Sequence, residues 1–360
     1  MRRALTNDVV KIFCYVAAVL LLGALIAPWL YNGGKALFEV AGTKTGFAPT
    51  KETNSLIRGL ADACGRSEFP RFFDRSIMLA ALVLFLPLVR WLKMGRGPLR
   101  YRDTPWSFHL PEEVIAGNEG QPLKRNPYGW MHLAIGFFLA AGGLLLLGYV
   151  LIWMGAFMPV DAAFSVKGVP NLFPVQPMNL WKAARSAIGT ATFVSISEEI
   201  VFRGILLGIF LRAMRPASAI ISLSLLFAFL HYMEPKIGAK VPDPESATAG
   251  FWLLGQIAAR YAEPLSLLAG FCTLTAVGIA LAHARWRTAS LWLPIGLHAG
   301  WIFGIFVFKE IARPVANLGG VSRFLIGGTM REGLLPLAVV AMTGLIVHLI
   351  TRNDVRDTSA

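Results

Sequence analysis

The sequence predicts an all-α membrane protein, a polytopic transmembrane helical bundle of about eight spans. Three observations carry that prediction. Hydrophobic residues make up 55% of the chain and charged residues 15%, where a soluble domain typically has about 25% charged residues, and the mean hydropathy is +0.58. The apolar residues gather into discrete runs of roughly 18 to 25, the length a helix rising about 1.5 Å per residue needs to cross about 30 Å of hydrocarbon. The runs also lack the alternation, over about ten residues, that a membrane β-strand shows.

The first run covers residues 9–31 and follows Arg2 and Arg3. It exceeds the hydrophobic region of a signal peptide and has no small-x-small cleavage site, so it is expected to stay as a span. It ends in Pro28 followed by Trp29 and Tyr31, aromatic residues of the kind found at the membrane interface. A polar segment follows, with a short surface helix expected over residues 52–63. The second span, residues 77–92, runs into Arg90, Lys93, Arg96, Arg100 and Arg102, a cluster that places its end in the cytoplasm. The Pro-rich loop beyond it carries Glu112 and Glu113, expected to be solvated.

The third span, residues 131–157, holds Gly142, Gly143 and Gly148, expected to let neighbouring helices approach. The loop after it is poor in Lys and Arg and so lies outside. Asn179 after Pro177 reads as the N-cap of a fourth span that closes at Arg212 and Arg215. The fifth is residues 217–233, and the stretch 250–262 after it, GFWLLGQIAARYA, is expected to lie along the interface as an amphipathic helix. The sixth, 264–284, ends in the topogenic Arg285 and Arg287; the seventh is 289–308; the eighth, 334–350, follows a Gly-rich segment and leads to Arg352 and Arg356. Both termini are then cytoplasmic.

The net charge of +13 does not point to nucleic acid, because the basic residues flank spans instead of forming one stripe with interleaved aromatics. The expected partner of these charges is anionic lipid. Cys14, Cys64 and Cys272 form no CxxC, so neither a disulfide framework nor a zinc site is indicated. No internal repeat is visible, and the Gly and Pro interruptions do not fall in matching halves, as they would in an inverted-repeat transporter.

One stretch breaks the apolar pattern. Ser195 to Phe210 reads SISEEIVFRGILLGIF, with Glu198, Glu199 and Arg203 inside an apolar run. An ionised side chain at a helix centre costs roughly 2.5 to 3.5 kcal/mol to insert, so three together must face protein or water. Glu199 and Arg203 are i,i+4 neighbours and are expected to pair. Glu198 is turned about 100° away and is left over, a carboxylate with the chemistry of a general base toward water. His231 in FAFLH and His298 in LPIGLHAGWIF add two histidines in apolar surroundings, and Gly204-x-x-x-Gly208 fits close helix packing at the site. His132, His283 and His348 lack acidic companions and read as structural.

In order, Glu198-Glu199-x-x-x-Arg203, Phe227-x-x-x-His231 and His298 in a Pro-Ile-Gly-Leu-His-Ala setting resemble the motifs of the CPBP intramembrane proteases. That family joins type II CAAX prenyl proteases with bacterial membrane proteins linked to bacteriocin processing and self-immunity. The resemblance covers residues 187–308 and places the catalytic core in spans four to seven. It implies an intramembrane endopeptidase acting on a membrane-associated or lipidated, CAAX-like protein or peptide. Glu198 and His231 would activate water, Glu199 and Arg203 would hold geometry and charge, and His298 would stabilise the oxyanion. Four residues after this His the family often has Asn; here Ile302 stands there and cannot donate.

The resemblance implies no cofactor. Zinc on Glu198, Glu199, His231 and His298 is a minority alternative, opposed by Arg203 beside the carboxylates and by the lack of HExxH. Two further alternatives are a non-catalytic immunity or scaffold protein and a proton-coupled transporter relaying through Glu198 and His231. The expected organisation is an N-terminal membrane region at 1–178, a protease-like core at 179–310, and a final span with its tail at 311–360. The expected location is the bacterial plasma membrane.

Overall fold

The structure is a computed structural model, described here for residues 8–42, 55–92, 129–159, 180–233, 240–259, 261, 264–288, 290–315, 325–326, 330 and 333–351. Every expected span is a helix. Five of them are long and apolar enough to cross a membrane: Asp8–Ala41, Phe69–Trp91, Gly129–Trp153, Leu268–Thr288 and Trp292–Ile311. The chain is thus an integral, multi-pass membrane protein. Two of the remaining expected spans are shorter apolar helices, Pro216–His231 and Leu334–Ile350. The last is the helix that carries the glutamate motif, whose polar side chains begin at Lys182 and Arg185.

Residues group into two compact units that do not follow chain order. One draws on Met1–Gly97 and His231–Pro264, the other on Pro98–Leu230 and Leu265–Ala360.

In the first unit, α1 (Asp8–Ala41) lies along α3 (Phe69–Trp91), with the short α2 (Ser55–Arg66) between them in sequence. This α2 is the surface helix expected over residues 52–63. Gly23 of α1 lets Ile77 of α3 sit against its backbone. Ser76 Oγ donates to Gly23 O at 2.7 Å and Tyr15 Oη to Ala81 O at 2.8 Å. Lys35 of α1 donates to the carbonyls of Cys64, Gly65 and Ser67 at 2.9 to 3.3 Å, satisfying the open end of α2 as a basic side chain at a helix C-terminus does. Tyr31, expected at the membrane interface, packs its ring on Phe69 and Phe72.

The stretch expected to lie along the interface forms α8 (Ala249–Ala259), but it is docked on α1. Gly250 sits so close to Ala24 that a Cβ would overlap the Ala24 carbonyl. Ala249, Leu253 and Ile257 are buried beside Ala24 and Ala27.

The second unit is built around two helices packed along their lengths, α4 (Gly129–Trp153) and α10 (Trp292–Ile311). Gly296, Gly300 and Gly304 repeat at four-residue spacing and form the small-residue seam that lets backbones meet. A Cβ at Gly296 would strike the backbone of Leu133, and one at Gly300 the backbone of Phe137; Gly136 answers from α4 against Leu293 and Leu297. Around the seam lie Leu144, Leu151, Leu293, Leu297, Trp301 and Phe308.

The glycines expected to serve this purpose divide. Gly148 meets Phe308 and Gly143 meets Val339, but Gly142 faces open space. Gly204 and Gly208 do not form a close crossing: the nearest side-chain atom to a Gly204 Cβ is Leu291 Cδ1 at 3.7 Å, and nothing lies within 4 Å of one at Gly208. The close seam belongs to α10 and not to the helix of the glutamate motif.

Among the described residues the fold is all-α apart from one antiparallel ribbon, β1 (Phe157–Pro159) with β2 (Ala312–Pro314), which joins the ends of α4 and α10. Asn179 and Pro177, Glu112 and Glu113, the basic cluster beyond Arg90, the glycines of the segment before residue 330, and Arg352 and Arg356 lie outside the described residues.

Candidate active site

The motif sits on one continuous helix from Leu180 to Ala213 that changes pitch at the acidic pair. It is α-helical through Glu199 (α5, Leu180–Glu199), widens to a π-helical segment over Ile200–Leu206, and returns to α-helix as α6 (Leu207–Ala213). In the wide segment the N–H of Leu207 bonds the carbonyl of Phe202, five residues back. Such segments are rare and occur mostly at functional sites, because the extra residue per turn re-aims the side chains around it.

Glu199 and Arg203 are both buried, at 0% and 1% exposure. Arg203 Nη1 donates to Glu199 Oε1 at 2.8 Å, the pairing expected from their spacing. The guanidinium lies over the ring of Phe227 at 4.5 Å from the centroid, a cation–π contact in a desolvated setting. Its Nη2 reaches the carbonyl of Gly278 at 3.4 Å, on α9 (Pro264–Thr288). The ring of Phe202 meets Phe227 edge-on at 5.0 Å. A buried ion pair needs such additional partners to offset the loss of water.

His298 reaches the same carboxylate from α10. Its Nδ1 is 2.8 Å from Glu199 Oε1. An ionised carboxylate only accepts, so Nδ1 carries the proton and Glu199 fixes both tautomer and ring orientation. The other nitrogen, Nε2, points to Glu198, 3.9 Å from Oε2. Phe227 closes one side of the imidazole at 6.2 Å between centroids. Glu198, with a 29% exposed side chain, is the accessible carboxylate of the pair. The arrangement holds a buried anion, a buried cation and an oriented imidazole, with the partly exposed Glu198 beside them.

Four of the five expected residues, Glu198, Glu199, Arg203 and His298, are thus brought together in one unit. His231 is the half-buried last residue of α7 (Pro216–His231) and groups with the other unit, though Phe227 stands one turn before it on that helix. Ile302 is half-buried one turn after His298. Among the described residues no three His, Cys, Asp or Glu side chains converge as a metal ion requires. Glu199 Oε1 already takes two hydrogen bonds. His283 and His348, read as structural, pair with each other at 3.2 Å.

Arg285 was missed. The sequence presents it beside Arg287 as a topogenic charge at the end of a span. Arg287 does face the tail end, donating to Thr351 O at 2.8 Å. Arg285 is fully buried, and its Nε donates to the main-chain oxygen of Arg203 at 3.4 Å. One signal was available: at helical spacing Arg285 falls on the stripe of Gly278 and Leu281, which is the packed face of α9.

Residues 180–304 match the family model described as type II CAAX prenyl endopeptidase Rce1-like. No curated protein and no solved structure matches the chain. The matched stretch begins with α5 and ends within α10, so it contains the whole constellation around Glu199 together with His231. Over that stretch the chain is similar to the Rce1-like type II CAAX prenyl endopeptidases of the CPBP family, whose motifs its residues resemble.

Proposed function

We propose that the protein is a glutamate-dependent intramembrane endopeptidase that hydrolyses a peptide bond in a membrane-associated or lipidated, CAAX-like protein or peptide. The observation that carries this reading is the division between the two glutamates. Glu199 is buried and holds both Arg203 and His298, whereas Glu198 keeps a side chain 29% exposed with its Oε2 3.9 Å from His298 Nε2.

In the proposed step Glu198 takes one proton from a water molecule, and the water oxygen bonds to the scissile carbonyl carbon. By the resemblance of its motif, His231 would share the activation of that water. The carbonyl oxygen becomes an oxyanion, which protonated His298 would stabilise through Nε2–H. Collapse breaks the C–N bond, and the proton held by Glu198 passes to the leaving amine. Glu199 and Arg203 keep the imidazole and the acidic pair in register. No metal enters this route. The bilayer supplies the substrate laterally, and the proposed location is the bacterial plasma membrane with both termini cytoplasmic.

The test pairs substrate finding with mutation. Peptides released from native membranes with and without the protein, compared by mass spectrometry, should show one class of C-terminal fragment that depends on it. Glu198→Ala and His231→Ala, expressed and folded as the parent, should abolish its release. Unchanged release from either variant sinks the assignment of that residue.

A further inference from the structure

We propose that Arg285 is a positioning residue of the site, acting by pinning the wide turn that sets the aim of Glu198 and Glu199. The proposal rests on the endopeptidase reading for its consequence but on the helix geometry for its mechanism.

When a helix passes from i→i−5 bonding back to i→i−4, consecutive N–H groups skip one carbonyl, which is left without a main-chain donor. Leu207 N–H takes Phe202 O, and α-helix resumes at Leu207. The next carbonyl in line is that of Arg203, so it is the one passed over. That is the oxygen to which Arg285 Nε donates, at 3.4 Å. A buried carbonyl without a donor is costly, and the Arg285 guanidinium supplies one, in a long contact.

The same residue, Arg203, is therefore held at both ends. Its side chain is fixed by Glu199, Phe227 and Gly278 O, and its main chain by Arg285. Both arginine side chains are almost wholly shut off from solvent, so no solvent-exposed surface role accounts for Arg285. Gly278 and Arg285 lie seven residues apart on one face of α9, and this face braces the pitch change from two points, one on each end of Arg203. Without Arg285 the Arg203 carbonyl regains a donor most simply if the helix relaxes toward regular α pitch. That would rotate Glu198 and Glu199 relative to everything after Leu207.

The experiment compares the full-length protein with Arg285→Met and Arg285→Lys by two readouts. Hydrogen exchange followed by mass spectrometry should show faster exchange in peptides spanning residues 200–208 in Arg285→Met, with the seam of α4 and α10 unchanged. Lys, which keeps the charge and one point of donation, should restore part of the protection. Cleavage of a farnesylated CAAX peptide should fall roughly 10- to 100-fold in kcat with KM little changed, as for a misaimed site, and Lys should recover part of it.

Unaltered exchange over 200–208 in both variants overturns the pinning. Altered exchange with parental kcat overturns the positioning role. If Arg285→Met does not fold, Arg285→Lys decides, since parental exchange and kcat in a variant that offers a different donor geometry would show that the contact is dispensable. A parent that cleaves no peptide counts against the endopeptidase reading alone, because the exchange readout still decides the pinning.

Discussion

Glu199 is the residue that holds Arg203 and His298 together, and Glu198 is the one proposed to act on water. Glu199→Gln would leave Arg203 buried beside a neutral amide, and breaking one side of a buried pair costs about 3 to 5 kcal/mol. The expected result is a lower midpoint of chemical unfolding in detergent, with activity lost along with the fold. Glu198→Gln keeps shape and removes only the base. It should leave unfolding unchanged and lower kcat about 100- to 10,000-fold, the range for loss of general-base catalysis. His298→Gln should lower kcat while KM stays near the parental value, since its Nε2 is proposed to act on the developing oxyanion. The i,i+4 spacing made the Glu199–Arg203 pair legible in sequence, because helical pitch alone brings those side chains together. That His298 chooses Glu199 for its Nδ1 was not legible, as it depends on how α10 is rotated against the motif helix.

At the scale of elements, α10 is fixed by its glycine seam, and the placement of His298 depends on it. Gly300→Val would push a branched side chain into the backbone of Phe137. Overpacking of this kind costs about 1 to 3 kcal/mol, and it should also reduce activity by displacing His298, two residues away. Gly208→Ala, by contrast, meets open space and should leave both stability and activity at parental values. Equal damage from the two substitutions would contradict the assignment of the seam to α10. The sequence shows both small-xxx-small patterns equally well, and which one meets a backbone is decided by the neighbour. The π-helical segment was likewise invisible, since nothing in the residue spacing of Ile200 to Leu206 distinguishes a π turn from an α turn. The burial of Arg285 was hidden for a different reason: a basic residue near the end of a span is ordinarily a topology determinant, and the packed stripe it belongs to was the weaker signal.

At the scale of the whole molecule, hydropathy located a helix at each expected span, five of them long and apolar enough to cross a membrane, because runs of apolar residues and flanking charges are local signals. It did not locate the grouping of His231–Pro264 with the N-terminal helices, which arises from close approaches such as Gly250 on Ala24. A family of Cys-reporter or enzyme-fusion constructs should find both termini on the cytoplasmic side, and a terminus labelled from outside would reverse the proposed orientation. Hydrolysis needs no ion gradient, so activity is expected in detergent solution, whereas solute uptake that vanishes with the proton gradient would favour a transporter. The most direct measurement runs the purified protein on a farnesylated CAAX peptide in ¹⁸O-labelled water, beside Glu198→Gln. The parent should release a fragment with one ¹⁸O atom in its new carboxylate, and the variant should release almost none. Equal rates of labelled product from the two proteins would contradict the claim that Glu198 activates the water.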